Sequence, residues 1–211
     1  MLDKNSNMIW YACYGSNMDN DKFIKYIQGG ELTVNGHEKN YIPCPTDTEP
    51  ARQSEQYLID RRFYFAKEST TWNKHGVGFI SPRRSSRSRT YARIYLISRA
   101  QFSHLFAQEN SRQTAQINYE NLNEKGFLDF EYSFYNRIIQ LEENLNGCPV
   151  LTFTNKSILL PNKPLKEYVR LICKGLRLTH NLSDKNIFEY LSKKGTGINK
   201  KELFKLLKQL N

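Results

Sequence analysis

An apolar, aromatic run that stops at a glycine restricts the fold of this chain more than any other feature of its sequence. Residues 8–14 (MIWYACY) follow a polar segment and precede Gly15-Ser16-Asn17. A short apolar run bounded by turn residues is typical of a buried strand. After the turn, Asp19 can cap a helix that Phe23 and Ile27 make amphipathic. The sequence therefore predicts a strand, a loop and a helix in direct succession.

The loop at Gly15-Ser16-Asn17 has the chemical features of an anion-binding turn. Glycine lets the backbone approach a ligand closely, and a helix start presents backbone N–H groups that lack partners within the helix. Ser16 and Asn17 add side-chain donors. Such a loop can hold an oxyanion or a carboxylate, and the same residues can equally form a simple capped turn. The local pattern leaves both interpretations open.

Other segments carry the periodicity of strands or helices. Thr90 to Ile97 alternates as a half-buried strand does, and Asn146-Gly147 is a typical hairpin turn. Further strands are predicted at Phe63 to Ala66, Val77 to Ser81, Arg137 to Leu141 and Pro149 to Phe153. Helices are predicted after Pro164, after the cap Ser183 and at Lys200 to Leu210. This succession indicates an α/β fold of the α+β type, with a curled sheet among helices.

Two stretches show no clear period. Residues 36–62 contain Pro43, Pro45, Pro50 and many polar side chains, so we expect a long surface excursion rather than packed layers. Such an excursion could cover a site. Ser111 to Tyr132 is also poorly patterned.

Glu109 stands at an unusual place for a carboxylate. Ser98 and Gln101 form a capping-box pattern, which predicts a helix running through about Gln108. The dipole of a helix favours cations at its C-terminal end, so a glutamate at that end is disfavoured and needs a structural or functional explanation. An exposed side chain at a frayed helix end is the simpler interpretation.

Composition and residue spacing exclude several classes of protein. With 39% hydrophobic and 13% aromatic residues, the chain can bury a core, and no apolar stretch approaches the roughly 18 to 20 residues of a membrane span. The first residues lack the apolar region of a signal peptide, so we expect a cytoplasmic protein. The dispersed residues Cys13, Cys44, Cys148, Cys173, His37, His75, His104 and His180 show no disulfide or metal-ligand pattern. We expect no metal and no cofactor.

Basic residues concentrate in the segment from Arg83 to Arg93, in a chain whose formal net charge is +10. The segment lies between two predicted strands and matches no common nucleic-acid-binding motif. A solvated arginine-rich hairpin tip is therefore favoured, and an anion-attracting lip is the alternative. We expect neither nucleic acid nor a membrane as a partner.

Four motifs, taken in order, resemble the gamma-glutamylcyclotransferase-like family, which includes the AIG2-like group. Tyr14-Gly15-Ser16-Asn17-Met18 is similar to the family's YGSN signature near the N-terminus. Gly76-Val77-Gly78 and the Arg93-Ile94-Tyr95 strand resemble its middle strands. Phe106-Ala107-Gln108-Glu109 resembles the helix end that bears its catalytic glutamate, and Pro161 to Gly175 resembles its proline-led C-terminal helix. The match covers roughly residues 8–180.

The resemblance implies a small mixed, curled or barrel-like sheet surrounded by helices, and an enzyme that needs no cofactor. It implies cyclisation of a small gamma-glutamyl compound to 5-oxoproline with release of an amine. Glu109 would be the general acid/base, and the residues expected to bind substrate are Tyr14, Gly15, Ser16, Asn17 and Tyr119. The expected domain spans residues 1–180, with 36–62 as an insertion, and residues 181–211 form a helical extension packed on it.

Two alternatives remain beside this interpretation. A non-catalytic module of the same fold could bind an amino-acid-like or anionic ligand, because fold alone does not specify activity. A Cys13 nucleophile with His104 as its base is a second enzymatic hypothesis, although Cys13 lies within the predicted strand.

Overall fold

The N-terminal strand, loop and helix form as the sequence predicts. The computed structural model describes residues 7–34 and 36–209. Strand β1 (Met8–Cys13) is buried along its whole length, and a short 3₁₀ turn (Ser16–Met18) leads into helix α1 (Asn20–Gln28). The Asp19 side chain accepts a hydrogen bond from the Asp21 N–H, which confirms the predicted cap.

The main sheet has six strands and is mixed. In chain order they are β1, β4 (Gln53–Ile59), β7 (Thr90–Ser98), β8 (Phe127–Asp129), β9 (Arg137–Leu145) and β10 (Cys148–Thr154). Across the sheet the order is β4-β7-β1-β10-β9-β8. Strand β1 runs parallel to β10 and antiparallel to β7. All six of its residues are buried, so both faces of the strand are covered, which explains why its sequence is a continuous apolar run.

Two hairpins stand outside the main sheet. They are formed by β2 (Gly30–Val34) with β3 (His37–Tyr41), and by β5 (Phe63–Ser69) with β6 (His75–Ile80). In the described part of the chain the main sheet is open, with β4 and β8 at its edges, so no closed barrel forms. The prediction of a mixed sheet surrounded by helices is confirmed, and the barrel-like alternative is not observed.

The two unpatterned stretches contain regular structure that the sequence did not predict. Residues 36–62 hold β3 and β4, so the expectation of an excursion without packed layers is wrong for these strands. Strand β4 is mostly exposed because it is an edge strand, and its polar sequence therefore lacks the alternation of a half-buried strand. The stretch after Ser111 contains a short helix, α3 (Tyr119–Lys125), and β8.

The remaining helices cover the sheet. They are α2 (Arg99–Glu109), α4 (Lys166–His180), α5 (Asp184–Ser192) and α6 (Lys200–Lys208). Helix α2 begins with the predicted capping box between Ser98 and Gln101. Helix α4 packs so closely on the 3₁₀ turn that a Cβ on Gly175 would lie 2.3 Å from the Met18 Cβ. Gly175 therefore allows α4 to close over the loop that follows β1. Within residues 7–34 and 36–209, no helix is long and apolar enough to cross a bilayer.

Candidate active site

A cavity of about 290 Å³ opens beside the loop that follows β1. The loop residues 14–17 line it, and Lys22 and Tyr26 of α1 form one wall with the C-terminal end of α2. Strand β3, the β5–β6 hairpin and Tyr168 of α4 also line it. The cavity thus combines segments from distant parts of the chain.

The order of β1, β7 and α2 explains why Glu109 reaches this cavity. Because β7 is antiparallel to β1, its last residue Ser98 pairs with Met8 at the start of β1. Helix α2 begins there and runs back along β1, and its 11 residues span about 16 Å. Its final residue Glu109 therefore lies level with the loop after β1. The Asn17 Nδ2 donates to Glu109 Oε1 at 2.8 Å, across 92 positions of sequence.

A buried lysine fixes the orientation of Asn17. Lys22 is only 5% exposed, and its Nζ donates to Asn17 Oδ1 at 2.5 Å, to Ser16 Oγ at 3.0 Å and to the Tyr26 hydroxyl at 3.3 Å. With its oxygen accepting from the ammonium, the Asn17 amide must present its nitrogen to Glu109. The Lys22 ammonium group therefore donates to Asn17, and the Glu109 carboxylate accepts from it, as their charges require.

Lys22 and Glu109 both occupy helix ends that disfavour their charge. Lys22 is in the first turn of α1, where the dipole favours anions, and Glu109 is the last residue of α2, where it favours cations. Among the described residues the two are linked through the Asn17 amide rather than by a direct ion pair. Burial lowers the pKa of Lys22 to about 8, although the Glu109 carboxylate acts in the opposite direction. The link to Lys22 through Asn17 therefore explains why a glutamate occupies this disfavoured helix end.

Tyr168 lies against the loop from below. The Gly78 N–H donates to the Tyr168 hydroxyl at 2.9 Å, and the Ser16 N–H also faces that oxygen. Burial raises the pKa of Tyr168 to about 12, so the phenol keeps its proton. The Ser16 side chain is a further hydrogen-bond partner of this hydroxyl, so Tyr168 joins the loop to β6 at the cavity. The oxygen would lie 2.8 Å from a Cβ on Gly15, so only glycine leaves it room.

The structure brings four of the five predicted substrate-binding residues to the cavity. Tyr14, Gly15, Ser16 and Asn17 line it with Glu109. The Tyr14 hydroxyl itself donates to the Phe153 carbonyl at 2.6 Å, which anchors the loop to β10.

Tyr119 is the exception among the residues that the structure describes. Its hydroxyl donates to the Arg99 carbonyl at 2.8 Å and lies 3.1 Å from Ser103 Oγ, at the start of α2, and it does not line the cavity. Tyr135 reaches the cavity instead. The chain between Glu109 and Tyr135 first forms α3 and β8 and then returns to the cavity.

Sequence reasoning also missed Lys22, Lys39, Tyr41 and Tyr168 as lining residues. Lys22 could have been found by the argument applied to Glu109, because a lysine in the first turn of a helix is disfavoured by the dipole. Tyr168 was assigned only to the apolar stripe of its helix. Its hydroxyl is a polar group at a buried position and therefore needs a partner.

The cysteine hypothesis finds no support in the geometry. The Cys13 thiol donates to the Arg93 carbonyl at 3.2 Å, and burial raises its pKa to about 12, so a thiolate is strongly disfavoured. His104 Nε2 instead lies 2.9 Å from the Ile42 carbonyl and 2.8 Å from Gln108 Nε2. The two residues therefore do not form a nucleophile–base pair.

The remaining polar clusters lie outside the cavity. Arg84 pairs with Asp60 and donates to the Leu141 carbonyl of β9, whereas Arg89 donates to the carbonyls of Ser86 and Ser88 within its own turn. In the part of the chain that the structure describes, no group of three or more His, Cys, Asp or Glu residues could hold a metal ion.

Comparison with known proteins gives one sequence relative. Over 204 residues the chain is 28% identical to histone deacetylase 5 of Arabidopsis thaliana, a match that covers 88% of this chain and 30% of that protein. The chain thus spans less than a third of this relative's length, and the relative's name describes the whole protein. No protein-family model matches the chain.

Solved structures identify the fold. A gamma-glutamyl cyclotransferase superposes with a TM-score of 0.52 at 14% identity, over 96% of this chain and 99% of that one. An uncharacterized protein from Homo sapiens gives a TM-score of 0.50 at 13% identity, over 87% and 86% of the two chains. The chain therefore has the gamma-glutamyl cyclotransferase-like fold that its motifs indicated.

Proposed function

We propose that this protein is a cofactor-independent gamma-glutamyl cyclotransferase. Its substrate would be a small compound in which a glutamate γ-carboxyl group is joined to an amine, and its products would be 5-oxoproline and the free amine. The observation that carries the proposal is the 2.8 Å hydrogen bond between Asn17 and Glu109 in one cavity. It supports a carboxylate held beside a loop rich in hydrogen-bond donors.

The enzyme itself need not form a covalent bond to the substrate in this reaction. The substrate's α-amine nitrogen forms a bond to the γ-carbonyl carbon, and the bond from that carbon to the leaving nitrogen breaks. The substrate's α-ammonium group loses two protons as it becomes the lactam N–H, the amide nitrogen gains two as it leaves as an ammonium group, and no other reactant is consumed. Glu109 would accept these protons one at a time and pass each to the leaving nitrogen, a role worth about 10²- to 10⁴-fold in rate.

The cavity would also fold the substrate and stabilise the tetrahedral oxyanion. An intramolecular attack needs the amine held close to the carbonyl carbon, and enclosure between α1, α2 and β6 would enforce that shape. The backbone N–H of Gly15 and the Tyr168 O–H are our candidates for oxyanion donors, and the O–H would turn from the Ser16 side chain to the oxyanion while Gly78 holds the phenol in place. The Asn17 amide would keep Glu109 pointing at the amine.

A turnover assay tests the proposal directly. Purified protein would be incubated with a panel of gamma-glutamyl dipeptides and gamma-glutamyl amines, and 5-oxoproline would be quantified. We expect release from at least one class of leaving amine, and none from the same compound with its α-amine acetylated. Acetylation removes the nucleophile but leaves the rest of the substrate intact, so equal hydrolysis of both would contradict cyclisation.

The second possible outcome of this assay is that the protein is a non-catalytic binding module of the same fold. Saturable binding of 5-oxoproline or a gamma-glutamyl compound, with no 5-oxoproline released from any member of the panel, would replace the catalytic proposal by that one.

A further inference from the structure

We propose that Lys39 and Tyr41 of β3 form a subsite for the α-carboxylate of the substrate's glutamyl group. This inference rests on the function proposed above and names the part of the substrate that the β3 wall recognises. It would restrict the enzyme to compounds that keep a free α-carboxylate.

Lys39 brings an uncommitted positive charge to the cavity. Its Nζ lies 4.8 Å from the centroid of the Tyr41 ring and 5.9 Å from that of Tyr26. Both contacts are cation–π contacts, which hold the ammonium in place without neutralising it. Among the described residues Lys39 forms no salt bridge, and it lines the cavity. An ammonium fixed on two rings can still donate to an anion.

Tyr41 supplies a second hydroxyl with room for a partner. The residue is 2% exposed and lines the cavity, and its hydroxyl makes no well-formed hydrogen bond with the described residues. The Tyr26 hydroxyl lies near it but is poorly aligned for a hydrogen bond. Buried hydroxyl groups are normally well paired, so a poorly paired one beside a cavity points to a ligand atom. An acceptor oxygen placed there would satisfy it.

The enclosed charges of the cavity favour one anion. Lys22, Lys39 and Glu109 line it together, and Lys39 is among the groups that lower the pKa of Lys22, so the two ammonium groups lie close enough to repel. Glu68 also lines the cavity, but its side chain is exposed to solvent, which screens its charge. Two enclosed cations therefore face one enclosed carboxylate. A bound carboxylate would balance the remaining positive charge.

The position of Glu109 identifies which carboxylate fits. The substrate's α-ammonium group must face Glu109 for the proton transfer, and the α-carboxylate is attached to the same carbon. Lys39 lies over the Tyr26 ring, and the Tyr26 hydroxyl is a hydrogen-bond partner of Glu109, so the two charged groups are near each other. They match this zwitterion with opposite charges. The leaving amine would then extend toward the β5–β6 hairpin.

Binding of two lactams separates this subsite from the reaction. The probes are 5-oxo-L-proline and 2-pyrrolidinone, which share the ring and differ in the carboxylate, and affinity is measured by isothermal titration calorimetry. We expect wild type to favour 5-oxoproline by at least about tenfold, since a charge-assisted hydrogen bond is at stake. Lys39→Met should remove most of this preference and leave 2-pyrrolidinone unchanged. Tyr41→Phe should reduce the preference by a smaller factor.

Lys25→Met is the matched control, because Lys25 lies on α1 outside the cavity and carries the same charge. Equal affinity of wild type for both lactams, or an equal loss for both in Lys39→Met, would overturn the subsite. A selective loss in Lys39→Met without any turnover by wild type would keep the subsite and refute the cyclotransferase. Turnover by wild type together with an unchanged KM in Lys39→Met would keep the cyclotransferase and refute the subsite.

Discussion

The two polar walls of the cavity differ in how their side chains are bonded. On the α1–α2 wall, Asn17, Lys22 and Glu109 are joined into one chain of hydrogen bonds. On the β3 wall, Lys39 rests on aromatic rings, and the Tyr41 hydroxyl lacks a well-formed bond among the described residues. The first wall is organised before a ligand arrives, as a proton-transfer group requires, and the second has donors left for a ligand.

Removing the charge of Glu109 on the α1–α2 wall should have the largest effect on turnover. Glu109→Gln keeps the size of the side chain and loses the group that accepts the proton, so we expect turnover to fall by about 10²- to 10⁴-fold. Circular dichroism should show an unchanged fold. Glu68→Gln is the control, because Glu68 is exposed at the rim of the cavity. Full turnover by Glu109→Gln would remove Glu109 from the mechanism.

Activity should fall at alkaline pH because Lys22 loses its proton. Its ammonium orients Asn17 and opposes the charge of Glu109, so we expect kcat/KM to decline as pH rises through about 8, the pKa of Lys22. Lys22→Met should lower activity at neutral pH by roughly tenfold, because Asn17 Oδ1 loses a charged donor. This variant should also lack the alkaline limit, whereas Lys25→Met should keep it.

The stability of the fold should follow pH in the opposite sense. The pKa of Lys22 falls from 10.5 to about 8 on folding, so the unfolded chain binds the extra proton between these values. The contribution of Lys22 to stability therefore rises with pH across that window. Denaturation midpoints at pH 7 and 9.5, compared between wild type and Lys22→Met, measure it. A loss of activity that tracked a loss of stability would contradict this assignment.

Gly15→Ala tests the contact beneath the loop. Its Cβ would lie 2.8 Å from the Tyr168 hydroxyl oxygen and 3.9 Å from the ring carbon that bears it. We expect a destabilisation of about 1 to 3 kcal/mol, as for other overpacked sites. Tyr168→Phe removes that oxygen, so the double variant should be more stable than the sum of the single effects. Strict additivity in chemical denaturation would show that the two residues do not contact each other.

Tyr119→Phe should have the smallest effect. It removes a hydrogen bond to the Arg99 carbonyl, so the free energy of unfolding should fall by about 0.5 to 1.5 kcal/mol. KM and kcat should stay at wild-type values, because Tyr119 does not line the cavity. A rise in KM alone would restore the substrate contact that the motif spacing suggested.

Sequence predicted those parts of the fold and of the site that depend on local signals. The cap at Asp19, the capping box at Ser98 and the hairpin turn at Asn146-Gly147 form because each acts within a few residues. The motif resemblance placed Glu109 near the loop, and the structure shows how β7 and α2 bring it there. Its catalytic role and the cytoplasmic location stay predictions.

The features that sequence missed depend on long-range packing. Strand β4 carries no alternating pattern, because only β7 pairs with it, and solvent reaches most of its side chains. Lys22 carries no local signal of its burial, because its partner Asn17 and the carboxylate of Glu109 come together only when α2 packs beside α1. Tyr41 became a lining residue only through the β2–β3 hairpin, within a stretch expected to be irregular.

A crystal structure with 5-oxo-L-proline would test the central claim most directly, that the cyclisation takes place between Glu109 and the loop after β1. The account predicts that the lactam nitrogen lies within hydrogen-bonding distance of the Glu109 carboxylate. The lactam oxygen should face Gly15 and the Tyr168 hydroxyl. A lactam bound with its nitrogen turned away from Glu109, or a cavity left empty at millimolar lactam, would contradict it.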